Sequence, residues 1–170
     1  MILPWLVARV SPAAFARAAA PAQLVAFACH SSLASLPAML DGAERELGIP
    51  KPVSRFVLPL AVSTLKVSAP LHCLVAVFFV ARLNGTPIAP GQLAALAALS
   101  VAVSFSVPGV PHGAILVTAP LLAAAGLPVQ AVGLLLAVDA VPNAFRSAAN
   151  TTGNMAVAAV VARTAAAAGP

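Results

Sequence analysis

DAVPNAFRSAANTTGN, residues 139–154, stands in a segment otherwise built of Ala, Val and Leu. Its members Asp139, Asn143, Arg146, Asn150 and Asn154 recur at spacings of 4, 3, 4 and 4. At 3.6 residues per turn these positions share one face of a helix, so the stretch predicts a polar stripe on an otherwise apolar rod. A guanidinium and several amides inside a membrane-length apolar segment are costly unless they meet something polar. The stripe therefore reads as the lining of a solute pathway.

Composition supplies the surroundings. Of the 170 residues, 61% are hydrophobic and 8% charged, with a mean hydropathy of +1.02. An ordinary soluble domain has about 45 to 50% apolar and about 25% charged residues, so the chain reads as an integral membrane protein. The length suits a few crossings of about 20 residues each. The net charge of +5 comes from nine scattered Lys and Arg, with aromatics at 5%, and so argues for membrane orientation rather than nucleic acid. Cys29 and Cys73 lie in apolar segments without CxxC spacing and read as small buried thiols. The opening MILPWLVARV lacks the pattern of a signal peptide and reads as the tail of a crossing.

Pro, Gly and charge divide the chain into alternating interrupted and long apolar units. The first interrupted unit, 19–45, breaks at His30, Ser31, Ser32, Ser35 and Pro37; the second, 90–127, breaks at Ser104, Ser106, Pro108, Gly109, Pro111, His112 and Gly113. Each reads as a re-entrant helical hairpin, since non-helical backbone at membrane depth needs protein or a watery cavity to satisfy its amides. Each is followed by a long helix, 52–83 carrying Lys66 and 129–168 carrying the Arg146 stripe, while 1–18 reads as the end of a crossing and a cytoplasmic linker. Two broken units in matching positions are the repeat pattern that locates a binding site near the midplane of secondary transporters. The alternative is an ordinary loop between two spans at Pro108 and Pro111. With the first hairpin entering from the cytoplasm, Arg9, Arg17, Arg45, Lys51, Arg55 and Arg163 fall inside and Arg82 outside, as the positive-inside rule asks. DGAERELGIPK, residues 41–51, reads as a solvated connector without chemistry.

Arg146 lies too deep in its segment to reach either interface. Its planar fork fits a carboxylate in bidentate fashion, so the functional reading is an anionic solute and the competing one a buried pair with Asp139. Asn143 and Asn150, one turn to either side, can both donate and accept and so orient a small polar solute. Lys66 in STLKVS is the second intramembrane cation and a candidate titrating group, or else a lysine at a cavity wall. His30, His72 and His112 are too widely spaced to read as a metal site. No nucleophile and base pair, phosphate loop or metal-ligand spacing supports an enzyme.

These residues together resemble the dicarboxylate and amino acid:cation symporters, a family that includes the glutamate transporters, over nearly the whole chain. AFACHSSLASLP, residues 26–37, is similar to the serine-rich first hairpin tip, and SRFVLPL, 54–60, to the start of the seventh helix. SVPGVPHGAIL, 106–116, is similar to the second tip, and the 139–154 stripe to the eighth helix. The resemblance implies an all-α membrane protein: the transport-domain half of the fold, with two re-entrant hairpins each followed by a long helix. It implies that Arg146 binds the distal carboxylate of the substrate and Asn150 its other end. Ser31, Ser32, Gly109 and Val110 would close the site from the two tips. Asn143 stands where amino-acid carriers of the family have an Asp for the substrate ammonium, which turns the expectation toward a small dicarboxylate.

The family's Asn-Met-Asp-Gly-Thr sodium motif is replaced by Leu65, Lys66, Val67, Ser68 and Ala69, and Asn154 stands where many members have a sodium-binding Asp. The expected cation region is thus degenerate and comprises Lys66, Ser63 and Asn154. The expectation is that the Lys66 ammonium sits there as a tethered charge, with sodium or the proton as coupling ion and no other cofactor. The resemblance further implies a multi-pass protein of the cell's inner (plasma) membrane, surrounded by lipid and working as an elevator. A homotrimer is expected where a scaffold domain is present. The chain corresponds to the mobile part without its scaffold, which implies a fragment, a partner-supplied scaffold or a decayed gene. The alternative function is a truncated, transport-inactive homologue that partners a full-length transporter.

Overall fold

The computed structural model describes residues 10–107 and 110–168, with no account of the side chain of residue 168. Among the described residues every regular element is helical. α1 (Pro12–Cys29) starts with Ser11, whose hydroxyl accepts from Ala14 N at 3.2 Å, and with proline in the first turn, where the missing N–H costs nothing. It ends at His30, whose φ of 52° turns the chain in the left-handed way usual after a helix. The helix takes in residues 12–18, which the sequence suggested as linker, and buries Phe15 and Ala18. Tip residues 30–35 lead to the short α2 (Leu36–Asp41) and a π-helical turn, Gly42–Glu46.

The expected solvated connector is therefore partly structural. Gly42 and Ala43 are buried, and a Cβ on Gly42 would meet the Ala18 carbonyl oxygen at 2.2 Å. The π turn thus lies directly against the α1 backbone, an approach that only glycine permits.

The long helix expected over 52–83 is broken. α3 (Lys51–Thr64) and α4 (Ala69–Leu83) are separated by Leu65–Ser68, and Leu65 is extended at φ −102°, ψ 105°. Taken across the break, Lys51–Leu83 is the one unit among the described residues long and apolar enough to cross a membrane. α5 (Pro90–Ser104), α6 (Gly113–Leu116), α7 (Ala119–Ala124) and α8 (Ala131–Val138) follow. α9 (Ala140–Ala168) carries the stripe over 29 residues, about 43 Å of helix, and Asp139 stands at the joint between α8 and α9.

Two principal cores result. The first joins α1, α2, the π turn, α3 and the far half of α9 through Phe15, Ala18, Ala22, Met39, Leu58, Val62, Met155 and Ala158. The second joins α4 to α5, α6, α7 and α8 through Cys73, Val77, Val80, Leu96, Ile115, Leu121, Leu122 and Leu135. Lipid tails are as apolar as leucine, so such helices are held by close van der Waals packing more than by escape from water. The alanine face of α1 against Ala158 and Ala159 of α9 suits that demand. Between the two cores the α3–α4 break rests on α9, with Val67 against Gly153.

Candidate functional site: a buried cationic cleft

The break exposes backbone groups that a continuous helix would satisfy, and α9 supplies their partners. The Asn150 side-chain oxygen accepts from Ser68 N at 3.0 Å and from Ser68 Oγ at 2.9 Å, while Ser68 Oγ also donates to the Arg146 carbonyl at 3.3 Å. Asn150 thereby commits its carbonyl to the start of α4. Its NH2 group is the part free to meet a solute.

Lys66, 3% exposed, points inward from the break. Its ammonium donates to the Val62 carbonyl and to Ser32 Oγ at 3.3 Å, so it ties the first tip to the end of α3. Ser35, fully buried, fixes that tip again: its hydroxyl donates to the Ser32 carbonyl at 2.9 Å and lies 3.1 Å from Thr151 Oγ1 of α9. Gln23 Nε2 adds a bond to Thr152 Oγ1 at 2.7 Å.

Arg146 is held beside its own stripe. Its guanidinium donates to Asn143 Oδ1 and approaches Asp139 Oδ2 at 4.0 Å, while Arg146 Nε and Asn143 Nδ2 are buried without hydrogen-bond partners. The pair with Asp139 that the sequence offered as an alternative is therefore present as a long contact. Most of the carboxylate's attention goes elsewhere: His112 Nδ1 is 2.9 Å from Asp139 Oδ2 and His72 Nε2 is 3.4 Å from Oδ1. Spacing gave no hint of this meeting, because His72, His112 and Asp139 come from three separate parts of the chain.

A cleft of about 10 Å3 is lined by His30, Ser32, Lys66, Val110, Asn143, Arg146, Ser147 and Asn150. Such a volume is about that of one water probe. Of the expected substrate contacts, Arg146, Asn150, Asn143, Ser32 and Val110 are brought together here. Ser31 lies just outside, with its hydroxyl accepting from Ala34 N at 3.2 Å. Gly109 falls outside the described residues. Ser63 does not join Lys66: it is exposed and donates back to the Pro59 carbonyl at 2.8 Å, because the helix turns its side chain away from α9. Asn154 is fully buried one turn beyond Asn150, and neither of its amide atoms has a partner. The sequence marks Ser35 and Ser68 only as a tip break and as part of the replaced motif, and Ser147 and Thr151 not at all; only the fold shows that they turn toward α9, the break and the cleft.

Among the described residues, two cations and no carboxylate line this cleft. Arg146 is only partly compensated, by Asp139 at 4.0 Å, and Lys66 is held by neutral oxygens, so the buried positive charge here favours an anion. The apolar, all-helical body around this cleft fits an integral membrane protein. A family model for the sodium:dicarboxylate symporter family matches residues 1–164. Excitatory amino acid transporter 3 of Mus musculus is 34% identical over 90% of this chain and 29% of its own length. Neutral amino acid transporter A of Bos taurus is 36% identical over 76% of this chain and 24% of its own length. The chain belongs to the sodium:dicarboxylate symporter family, and it spans under a third of the length of these transporters.

Proposed function

We propose that the chain forms the substrate-binding part of a secondary carrier for small amino acids with an acidic side chain, in the plasma membrane. The carrying observation is the cleft itself: Lys66 and Arg146 converge on it and the other groups lining it are neutral or imidazole. Arg146 would turn from Asn143 to grip the side-chain carboxylate through its fork. That frees the Asn143 carbonyl to accept from the substrate ammonium, and the Asn150 NH2 would meet the other carboxylate. The relatives, excitatory and neutral amino acid transporters, support an amino acid over the plain dicarboxylate favoured by Asn143 alone. A plain dicarboxylate is accordingly a weaker ligand in this reading.

Lys66 would act as a built-in cation, its ammonium bound by a backbone carbonyl and a hydroxyl as a sodium ion would be, so that binding needs no sodium. The two interrupted units would re-enter the membrane from opposite faces and present their tips to the cleft. Movement of this part as an elevator, in a trimer, needs a scaffold wall supplied by further sequence or by a partner. A transport-inactive homologue is less well supported, since a degenerate remnant has no reason to keep Arg146, Asn143 and Asn150 converging.

Binding of radiolabelled L-aspartate to the chain in lipid nanodiscs tests the reading, with succinate and L-serine as competitors. Arg146→Ala should weaken aspartate binding by about 10- to 100-fold, the value of a hydrogen bond to a charged group, and affinity should not change when sodium replaces choline. Undiminished binding by Arg146→Ala overturns the substrate assignment, and strict sodium dependence overturns the role of Lys66.

A further inference from the structure

A second cavity lies on the outer side of α4 and α8. Its volume is about 300 Å3, against about 10 Å3 for the cleft. Buried Ala76, Ile115 and Leu135 form its floor, and exposed Val75, Phe79 and Val138 form its rim. A water in the liquid takes about 30 Å3, so the space suits a body of roughly ten non-hydrogen atoms. In a membrane, a rim of this kind admits molecules dissolved among the acyl chains.

One end of the cavity is polar. Asp139, 1% exposed, and His72 line it there. Asp139 Oδ2 already has His112 Nδ1 at 2.9 Å and the Arg146 guanidinium at 4.0 Å. Oδ1 is left with His72 Nε2 at 3.4 Å, and among the described residues neither of these two buried atoms has a hydrogen-bond partner. Buried polar atoms without partners are costly, so they point to a group that would supply them. A carboxylate oxygen only accepts, and a neutral imidazole with its proton on Nδ1 also accepts at Nε2. Two acceptors side by side call for several donors on one atom. An ammonium lying between them donates to both and sets its charge against the carboxylate. A hydroxyl has one donor for the two acceptors, and a second carboxylate would be repelled. An acyl chain would fill the apolar part and leave the polar end as it is.

We infer that this cavity is a binding site for a small primary amine with a compact apolar body, separate from the anion cleft and entered from the lipid side. The ammonium rests on Asp139 Oδ1 and His72 Nε2, and the body lies on Ala76, Ile115 and Leu135. The His72 side chain, 14% exposed, turns to admit the head group. Ala76, Ile115 and Leu135 belong to α4, α6 and α8 and share the second core, so an amine seated on them ties three elements of that core together. The cleft is of the opposite character, since Lys66 and Arg146 repel an ammonium that brings no carboxylate with it. An amine binds in this cavity whether or not the cleft holds a solute.

Saturable binding of radiolabelled 2-phenylethylamine to the full chain in nanodiscs of neutral lipid tests this, with protein-free nanodiscs as the blank. Asp139→Asn, which keeps the shape and removes the charge, should weaken binding by about 10- to 100-fold, the value of a hydrogen bond to a charged group. Val138→Trp, on the exposed rim, should crowd the mouth and weaken binding by at least about tenfold; because Val138 is exposed, this variant keeps the test open where Asp139→Asn fails to fold. 2-Phenylethanol, the same body with a hydroxyl head, should bind at least about tenfold more weakly than the amine. Equal binding of the alcohol, full binding to Val138→Trp, or no saturable binding of the amine overturns the inference. Excess L-aspartate should leave the amine in place, and its displacement would put the amine in the anion cleft and overturn the inference too. Amine binding to a chain that binds no aspartate supports this site and overturns the cleft, and aspartate binding without amine binding does the reverse.

Discussion

At Asn150 a single side chain does two jobs with two different atoms. Its carbonyl oxygen holds Ser68 N and Ser68 Oγ, at 3.0 and 2.9 Å, and its NH2 faces the cleft. Asn150→Ala should leave the Ser68 amide buried without a partner and cost about 1 to 3 kcal/mol of stability, read as a lowered melting temperature in detergent. Asn150→Asp keeps the acceptor and removes the donors. It should restore the melting temperature more than the alanine variant does while aspartate binding stays weak; equal melting losses in both would show that the Ser68 contact is not what the carbonyl is for. Lys66 permits a parallel separation. Lys66→Met keeps most of the length and removes the charge, and should weaken anion binding by roughly tenfold without making it sodium-dependent, since no acidic side chain stands at Leu65 or Val67 to replace it. A residue at this depth was readable from sequence because membrane cost alone singles out Arg146, Lys66 and the amides. Their partners were not readable: the direction of Ser63, turned out and bonded to Pro59, and of Ser147, turned into the cleft, depends on a few tens of degrees of helix rotation.

Among the elements, the π-helical turn Gly42–Glu46 shows how the first tip is braced. Gly42 abuts the Ala18 carbonyl oxygen at 2.2 Å from where a Cβ would sit, whereas the same test at Gly133 in α8 meets open space. Gly42→Ala should therefore destabilise by about 2 kcal/mol or more through forced separation of α1 from the turn, and Gly133→Ala should be neutral or stabilise by up to about 1 kcal/mol through helix propensity. Thermal melts of the two variants decide it, and a harmless Gly42→Ala would mean that α1 and the turn are not locked. The Glu44 carboxylate completes the brace, accepting from Ser54 Oγ at 2.9 Å and from Arg55 Nε at 3.2 Å. The Ser54 hydroxyl first, and then Arg55, hold its carboxyl below the ordinary glutamate value. A depressed folded-state value means the brace contributes fully above the unfolded value of about 4.3 and fades as pH falls through the lower folded one. The stability gap between wild type and Glu44→Gln should thus be present at pH 7 and close below about pH 4. The sequence read this segment as a mere solvated connector, because its three acids and two bases look like surface; what burial it has comes from Gly42 and Ala43, small residues whose meaning appears only once α1 is packed on them. The break at Leu65–Ser68 has its signal just beyond it. Pro70, in the first turn of α4, has no N–H for the Lys66 carbonyl and its ring would clash with that carbonyl in a continuous helix, so the chain opens there and Ser68 takes its partners from α9.

For the molecule as a whole, the alternation of interrupted and long units was legible because Pro, Gly and Ser punctuate an otherwise apolar chain, and it foretold an all-helical body with its polar groups inside. What it did not foretell is that the helices sort into two principal cores, one around Phe15, Leu58 and Met155 and one around Val77, Leu96 and Leu122, with the cleft and the Asp139 cluster at the seam. Across that seam α9 reaches the second half through polar contacts: Asn150 to Ser68, and Asp139 to His72 and His112. Cores that share few apolar neighbours should open independently. Leu122→Ala, which removes a fully buried side chain from the second core, should cost about 2 to 5 kcal/mol locally. Hydrogen exchange followed by mass spectrometry should then show faster exchange in α4, α5 and α7 while α1, α3 and the far half of α9 keep their protection. Met155→Ala should produce the reverse pattern. A uniform loss of protection from either substitution would mean that the halves unfold as one unit, with no seam between them.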